Sequence, residues 1–209
     1  MNLKERNETV RNFFNEKIDS YDDVHAQYMD TKAVLGDNLD KNSKNILDLG
    51  GGTGLELIHL FELYPDAHVT VIDITENMVE KLKTRDFADK VTTICGDFFE
   101  VDFGDNYDAV ISTSALHHFK KNEKVILYKK IYDCLKDGGQ FLNSDFIAED
   151  EEFEKEQLYE IDNEFDKYKH IDIPLTLEHE LEVLKEVGFK NIEVKPVPKH
   201  SYALTNARK

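Results

Sequence analysis

The chain has 209 residues, enough for one domain with a substantial core. It contains 26 Lys and Arg residues and 43 Asp and Glu residues, which gives a formal net charge of −17. Such a surface repels phosphate backbones and anionic headgroups, so nucleic acid and membrane surfaces are disfavoured as partners. The polar N-terminal segment, the shortness of every apolar run and two cysteines without a zinc or redox spacing predict a cytoplasmic location.

The first forty residues are predicted to be helical. Val10, Phe13 and Phe14 share one helical face, which predicts an amphipathic helix over about 4–18. Helical character continues over 21–39. This segment precedes the first strand pattern and is expected to form a separate helical cap.

Strand-like and helix-like segments then alternate, which indicates a parallel sheet covered by helices on both faces. The predicted strands are Asn45–Leu49, His68–Asp73, Val91–Cys95, Tyr107–Ser112 and Gly139–Asp145. The predicted helices between them are Leu55–Tyr64, Asn77–Asp86 and Val125–Leu135, the last followed by a turn at 137–139.

A strongly acidic helix is predicted over 149–169, with Leu158, Ile161, Phe165 and Tyr168 on one stripe. The ordinary interpretation of such a charge run is a solvated helix face. The alternative is that this acidic helix covers the pocket and attracts a cationic acceptor.

The end of the chain predicts a helix over Leu177–Val187, stopped by Gly188, and two strands near 192–195 and 202–204. Two strands so close in sequence form a hairpin, which adds an antiparallel edge to a parallel sheet. We therefore expect a doubly wound α/β fold with a mostly parallel seven-stranded sheet and an antiparallel C-terminal hairpin strand.

The strongest functional signal is the segment 46–54, in which an apolar strand passes into a glycine-dense turn before a helix. Gly50, Gly52 and Gly54 leave no side chain between the turn and a ligand. A strand, a glycine turn and a helix N-terminus form a nucleotide-sized pocket at the carboxyl edge of a sheet. The third small residue of the dinucleotide fingerprint would fall at Leu55, which is too large, so a nicotinamide dehydrogenase is disfavoured. From this motif alone, the interpretation that the turn binds no ligand stays open.

Two acids follow the next two strands. Asp73 lies 23 residues after the first glycine of the turn, close to the spacing at which an acid binds ribose hydroxyls; capping the helix that starts near Thr75 is a compatible alternative. Asp97 is placed to accept from an exocyclic amine beside Phe98, which can pack on a purine face, whereas Phe99 is expected to join the core.

The ordered motifs resemble class I S-adenosylmethionine-dependent methyltransferases. The series is Asp-x-Gly-x-Gly-x-Gly, Val-Ile-Asp, Gly-Asp-Phe, Tyr-Asp-x-Val with Leu-His-His-Phe, and Leu-Lys-x-Gly-Gly, within about 40–145. The resemblance implies a Rossmann-like methyltransferase fold, S-adenosyl-L-methionine as cofactor and a small-molecule methyl acceptor. It also implies one domain, with an N-terminal helical cap (1–40), a cofactor-binding core (41–148), an acidic helical lid (149–172) and a C-terminal helix and hairpin (173–209).

The resemblance further implies that Asp48 and the glycine turn hold the methionine moiety, Asp73 the ribose, and Asp97 and Phe98 the adenine. Tyr21 is expected to close over the methionine end. The candidate cofactor-binding residues are Tyr21, Asp48, Gly50, Gly52, Gly54, Asp73, Ile74, Asp97, Phe98 and Ser114.

The candidate catalytic residues are His118, which follows the fourth strand, and Asp145, at the end of the fifth. Methyl transfer chiefly requires alignment of the acceptor, and a base helps only when the acceptor carries a proton. His117 is expected to pack against the cofactor or to be structural. His170 and Asp172 lack partners at a recognisable spacing, so no metal site is expected.

Two alternatives to methyl transfer stay open. One is another enzyme of the same fold, which transfers an aminopropyl group or modifies the cofactor itself. The other is a non-catalytic regulatory protein that binds S-adenosylmethionine.

Overall fold

The computed structural model describes residues 1–163 and 170–209. The strands in these ranges are β1 Asn45–Leu49, β2 His68–Asp73, β3 Val91–Cys95, β4 Tyr107–Thr113, β5 Leu135–Phe146, β6 Lys190–Val197 and β7 Tyr202–Arg208. The α-helices are α1 Leu3–Lys17, α2 Tyr21–His25, α3 Met29–Asn38, α4 Leu55–Leu63, α5 Glu76–Leu82, α6 Lys121–Cys134, α7 Glu151–Asn163 and α8 Leu177–Val187. Nowhere in the described ranges is a helix long and apolar enough to cross a membrane.

The described strands form one seven-stranded sheet in the order β3-β2-β1-β4-β5-β7-β6. The first five strands pair in parallel, and β7 runs antiparallel to both β5 and β6. The expected fold class is therefore confirmed. Since β1 has β2 on one side and β4 on the other, the loops that follow these three strands meet at one edge, where the strand order reverses.

The core lies on both faces of this sheet, because alternate residues of each strand point to opposite sides. Leu47 and Val110 belong to the cluster that includes residues of α6 and α8. Ile46 and Ala109 belong to the other cluster, with residues of α3 and α4. The doubly wound arrangement follows from this alternation.

Several predicted boundaries are wrong; helix α6, for example, begins at Lys121 instead of Val125. Strand β5 begins at Leu135, so the turn predicted at 137–139 lies inside it, where the pairing with β4 shifts register and Gly138 has a positive φ of 75°. Helix α5 ends at Leu82 instead of Asp86, because the amides of Thr84 and Arg85 bond to carbonyls three residues back.

The acidic helix is present over Glu151–Asn163. Ile161 is buried and Leu158 is exposed. The other two members of the predicted stripe, Phe165 and Tyr168, lie outside the described residues.

Candidate functional site

A cavity that is partly open to solvent lies at the carboxyl edge of the sheet, with about 630 Å³ of empty space when its open side is included. The predicted residues that line it are Tyr21, Gly50, Gly52, Asp73, Ile74, Asp97, Phe98, Ser114 and His118. Asp48, Gly54 and Asp145 are not among its lining residues.

The glycine turn forms the floor of this cavity. Gly52 has a φ of 52°, and a Cβ there would lie 3.6 Å from the Tyr21 hydroxyl, so its absence keeps the space between turn and tyrosine open. A Cβ on Gly50 would come within 2.4 Å of the Ala115 Cβ. Gly54 instead caps the N-terminus of α4. The turn thus presents bare backbone to whatever occupies the cavity.

Asp73 connects the turn to the second strand. Its Oδ2 accepts a hydrogen bond from the Gly52 amide at 2.9 Å, and its Oδ1 accepts one from the Thr75 amide at 2.8 Å. Burial raises the pKa of Asp73, while these amide donors oppose the shift. Each carboxylate oxygen keeps a further lone pair. The ribose role stays a prediction that this geometry permits.

Asp97 lies at another corner of the cavity. Its Oδ1 accepts from the Phe99 amide at 2.8 Å, and its Oδ2 accepts from the Asn7 side-chain amide at 2.7 Å. Phe98 is buried beside it. Phe99 is partly buried against the core. Helix α1 therefore reaches the corner that the resemblance assigns to adenine.

Helix α1 forms the outer wall of the cavity through Asn7, Val10 and Phe14. Arg11 fixes it by donating to the Ile74 carbonyl at 3.2 Å. The sequence indicated an amphipathic helix but gave no sign that its polar Asn7 meets Asp97. Other lining residues that sequence reasoning missed are Thr75, Met78, Ala115 and Phe119.

The Asp22 clamp, a network of Asp22 with Thr53, Lys81 and Arg85, holds Tyr21 over the turn. Asp22 accepts from the Thr53 hydroxyl at 2.7 Å and from Arg85 at 2.8 Å, and Lys81 lies 3.1 Å away. Burial would raise the pKa of Asp22, but the hydroxyl donor and the two cations hold it below its ordinary value.

Asp48 lies beneath the turn. It is fully buried, and a Cβ on Gly51 would come within 2.6 Å of its Oδ2. Burial and the neighbouring Glu56 raise the pKa of Asp48 well above its ordinary value. Contact with the methionine moiety stays a prediction for Asp48, whose side chain packs against the turn at Gly51.

The histidine pair follows β4 in a short 3₁₀ turn. His117 lies between two carboxylates, with Nδ1 2.6 Å from Asp145 Oδ1 and Nε2 3.0 Å from Asp172 Oδ1. Burial alone would lower the pKa of His117, but the two carboxylates raise it to about 10. Asp145 also accepts from the Leu116 amide at 3.1 Å. Asp145 therefore contacts His117 and is not among the residues that line the cavity, and its catalytic role stays a prediction.

His118 does line the cavity. Its Nδ1 is hydrogen bonded to the Ile171 carbonyl, which can only accept, so Nδ1 carries the proton and Nε2 is unprotonated. Burial and the nearby His117 lower the pKa of His118 to about 3. The neutral ring thus has one acceptor nitrogen left for a ligand.

The strand order with its reversal, the glycine turn and the cavity at the carboxyl edge of the sheet define a Rossmann-like fold. A family model described as "Methyltransferase domain" matches residues 46–139. Carboxy-S-adenosyl-L-methionine synthase from Nautilia profundicola is 28% identical over 207 residues, which cover 91% of this chain and 88% of the relative. Phosphoethanolamine N-methyltransferase from Plasmodium falciparum is 32% identical over 165 residues, 78% of this chain and 59% of that protein.

A solved complex of the protein DhpI with SAH superposes with a TM-score of 0.79 at 18% identity, covering 99% of this chain and 98% of that chain. This likeness concerns the fold. Several other matching proteins are longer, and the chain spans between 36% and 60% of their length.

Over residues 46–139, the chain is similar to class I S-adenosylmethionine-dependent methyltransferases. The family model and the named relatives support S-adenosyl-L-methionine as the cofactor. The chemistry of the lining fits this cofactor: Gly52 presents backbone without a side chain beneath Tyr21, and the carboxylates of Asp73 and Asp97 line the cavity.

Proposed function

We propose that this protein methylates a small-molecule acceptor. The observation that carries the proposal is the position of α1, which closes the cavity opposite the glycine turn through Asn7, Val10 and Phe14. An acceptor has to enter the space between this helix and the turn. A small molecule suits that space, whereas a nucleic acid would also meet a surface of charge −17.

The cofactor-binding roles follow from the lining residues. Asp73 accepts from the ribose hydroxyls, Asp97 accepts from the adenine amine beside Phe98, and the bare backbone at Gly52 takes the methionine end beneath Tyr21. When bound, the cofactor supplies an electrophilic methyl group on a sulfonium. The chain's own contribution is to align the acceptor and exclude water.

His118 orients the acceptor in this proposal. Its Nε2 accepts a hydrogen bond from the N–H or O–H of the acceptor, which directs the acceptor's lone pair toward the methyl carbon. With the cofactor bound, the acceptor would form its bond to the methyl carbon as the carbon–sulfur bond breaks, and the electron pair of that bond would return to sulfur. Because the pKa of His118 is lowered to about 3, its Nε2 orients the acceptor and does not keep the proton, which passes to solvent through the open side of the cavity.

We further propose that the chain acts as one domain. The 1–40 cap covers the core of 41–148, and the end of the 149–172 segment adjoins the site, since Ile171 and Asp172 contact the histidine pair. The 173–209 segment completes the sheet.

A radiolabel experiment tests the acceptor class. The protein is incubated with methyl-labelled cofactor and a cell extract, and the products are separated by ultrafiltration. Label in the low-mass fraction, with formation of S-adenosylhomocysteine, supports the proposal. Label confined to the retained macromolecules contradicts it.

A second candidate function is modification of the cofactor itself. The observation that favours it is the similarity to the Nautilia synthase along almost the full length of both chains. In that case, incubation with a metabolite extract converts the cofactor into a heavier, carboxylated product without S-adenosylhomocysteine. Mass spectrometry of the cofactor pool distinguishes the two functions.

A further inference from the structure

We propose that His117, His170 and Asp172 form a binding site for a first-row divalent metal ion, directly behind His118 and the cofactor cavity. This site does not depend on the acceptor class. The sequence gave no sign of it, because 53 residues separate His117 from His170. Tertiary folding brings the ligand atoms of these residues and His118 within 4.8 Å of one another.

The distances between the donor atoms suit one ion. Asp172 Oδ1 lies 3.0 Å from His117 Nε2 and 3.5 Å from His170 Nδ1. With metal–ligand bonds of about 2.0–2.1 Å, neighbouring donors of a tetrahedral ion are about 3.3 Å apart, and those of an octahedral ion about 3.0 Å. Two imidazole nitrogens and one carboxylate oxygen are a donor set for zinc or iron(II), with coordination positions left open.

The cluster lacks the hydrogen bonds that would satisfy it without an ion. Asp172 Oδ1 and His170 Nε2 are buried atoms without a hydrogen-bond partner among the described residues. Asp172 Oδ1 lies 3.0 Å from His117 Nε2, so either a proton or a metal ion has to lie between these two atoms. Unpaired buried polar atoms are costly, and a metal ion would engage the carboxylate oxygen.

The residues around the cluster hold the donors in place. Asp145 binds Nδ1 of His117 at 2.6 Å, which is the carboxylate–histidine arrangement that orients a metal-bound imidazole. Phe13 stacks on the His170 ring with centroids 4.8 Å apart. The Ile173 amide donates to the His117 carbonyl at 2.8 Å, which ties the two chain segments together.

The fourth member of the cluster, His118, is not needed as a ligand. Its Nδ1 lies 4.0 Å from Asp172 Oδ1 and is occupied by the Ile171 carbonyl. An ion can reach the site from solvent, since the side chains of His170 and Asp172 are about one-third exposed. The rival to an ion is a proton, which would make His117 a cation between Asp145 and Asp172.

Cobalt titration of the full-length protein tests the site. The protein is stripped with a chelator and titrated with Co²⁺ at high ionic strength, which suppresses loose binding to the acidic surface. We expect one equivalent to bind with visible d–d absorption. Zn²⁺ should displace it, and elemental analysis of the protein as purified identifies the ion it acquires in the cell.

Variants locate the binding. Asp172→Asn and His170→Ala should each weaken Co²⁺ binding by more than about 100-fold, and Asp145→Asn by about 10–100-fold. His179→Ala is the matched control, because it removes another imidazole–carboxylate pair, His179 with Glu154 at 2.8 Å. It should leave binding unchanged.

Thermal unfolding of each variant checks that it folds, and the isosteric Asp172→Asn keeps the volume of the site. Absence of the d–d bands in the wild-type protein would overturn the proposal in favour of a protonated His117. Bands of wild-type intensity in folded Asp172→Asn and His170→Ala would also overturn it, since the ion would then lie elsewhere.

Discussion

Replacing Asp73 with Ala separates its two roles, support of the glycine turn and contact with the ribose. The substitution leaves the Gly52 and Thr75 amides without their acceptor. Two buried donors that lose a partner cost about 1–3 kcal/mol each, and removal of a buried carboxylate offsets part of this. We expect the free energy of unfolding to fall by roughly 2 kcal/mol.

The effect on cofactor binding should be larger. Hydrogen bonds from two ribose hydroxyls to a carboxylate contribute about 1.5–3 kcal/mol each. Taking the lower value for both gives about 3 kcal/mol, which corresponds to a loss of affinity of at least about 100-fold. Calorimetric titration with S-adenosylmethionine, at a temperature where the variant is fully folded, measures this loss.

The control variant is Asp108→Ala. Asp108 also accepts from two backbone amides, those of Lys44 and Asn45 at 3.0 and 2.9 Å, but it lies at the opposite edge of the sheet. It should lower stability and leave cofactor affinity unchanged. A cofactor analogue without the 2′-hydroxyl completes the test, because it should bind weakly to the wild-type protein and lose little further affinity in Asp73→Ala. Wild-type affinity of folded Asp73→Ala for the natural cofactor would refute the ribose role.

Three further predictions concern the clamp, the acceptor and the core. Asp22→Asn should weaken cofactor binding. Because the pKa of Asp22 is lowered in the folded state, its carboxylate stabilises the fold above the ordinary pKa of 3.8, and this stabilisation is lost as the pH falls below that value. The unfolding midpoints of the variant and the wild type should therefore converge in acid. His118→Ala should lower turnover by about 10²-fold without changing cofactor affinity, and unchanged turnover on an identified acceptor would make the residue structural. Lys124→Met should destabilise the fold by about 3–5 kcal/mol in denaturant unfolding, since it leaves Glu180 buried without its cation at 2.8 Å; a loss below 1 kcal/mol would contradict a charged pair at this position.

The sequence predicted the sheet well because its signals are local. Strands β1, β2 and β3 begin and end where the apolar runs predict them, and the hairpin at the end of the chain is present. The start of β5 was wrong, because Leu135 pairs with Tyr107 and the pairing with β4 resumes only at Gln140, so that residues 136–139 form an irregularity inside the strand. That irregularity depends on the neighbouring strand and cannot be read from the segment itself.

The cofactor cavity was also largely predictable. Loops that follow parallel strands share one edge of a sheet, so Gly52, Asp73 and Asp97 had to approach one another once the strand order was assumed. The cavity wall formed by α1 was not predictable to the residue. Nothing local to Asn7 indicates that its amide meets a carboxylate 90 residues away.

The sequence by itself determined the fold class and the likeness to methyltransferases, because strand periodicity, glycine spacing and the order of the motifs are properties of short segments. Only the tertiary structure decided what lies beside the cofactor cavity. Asp145 meets His117 instead of the cavity, and His170 and Asp172 join them from a segment that carries no motif. The reason is physical: ligand and hydrogen-bond geometry depends on distances of 3 to 4 Å between distant parts of the chain, and these are fixed only when the core has packed.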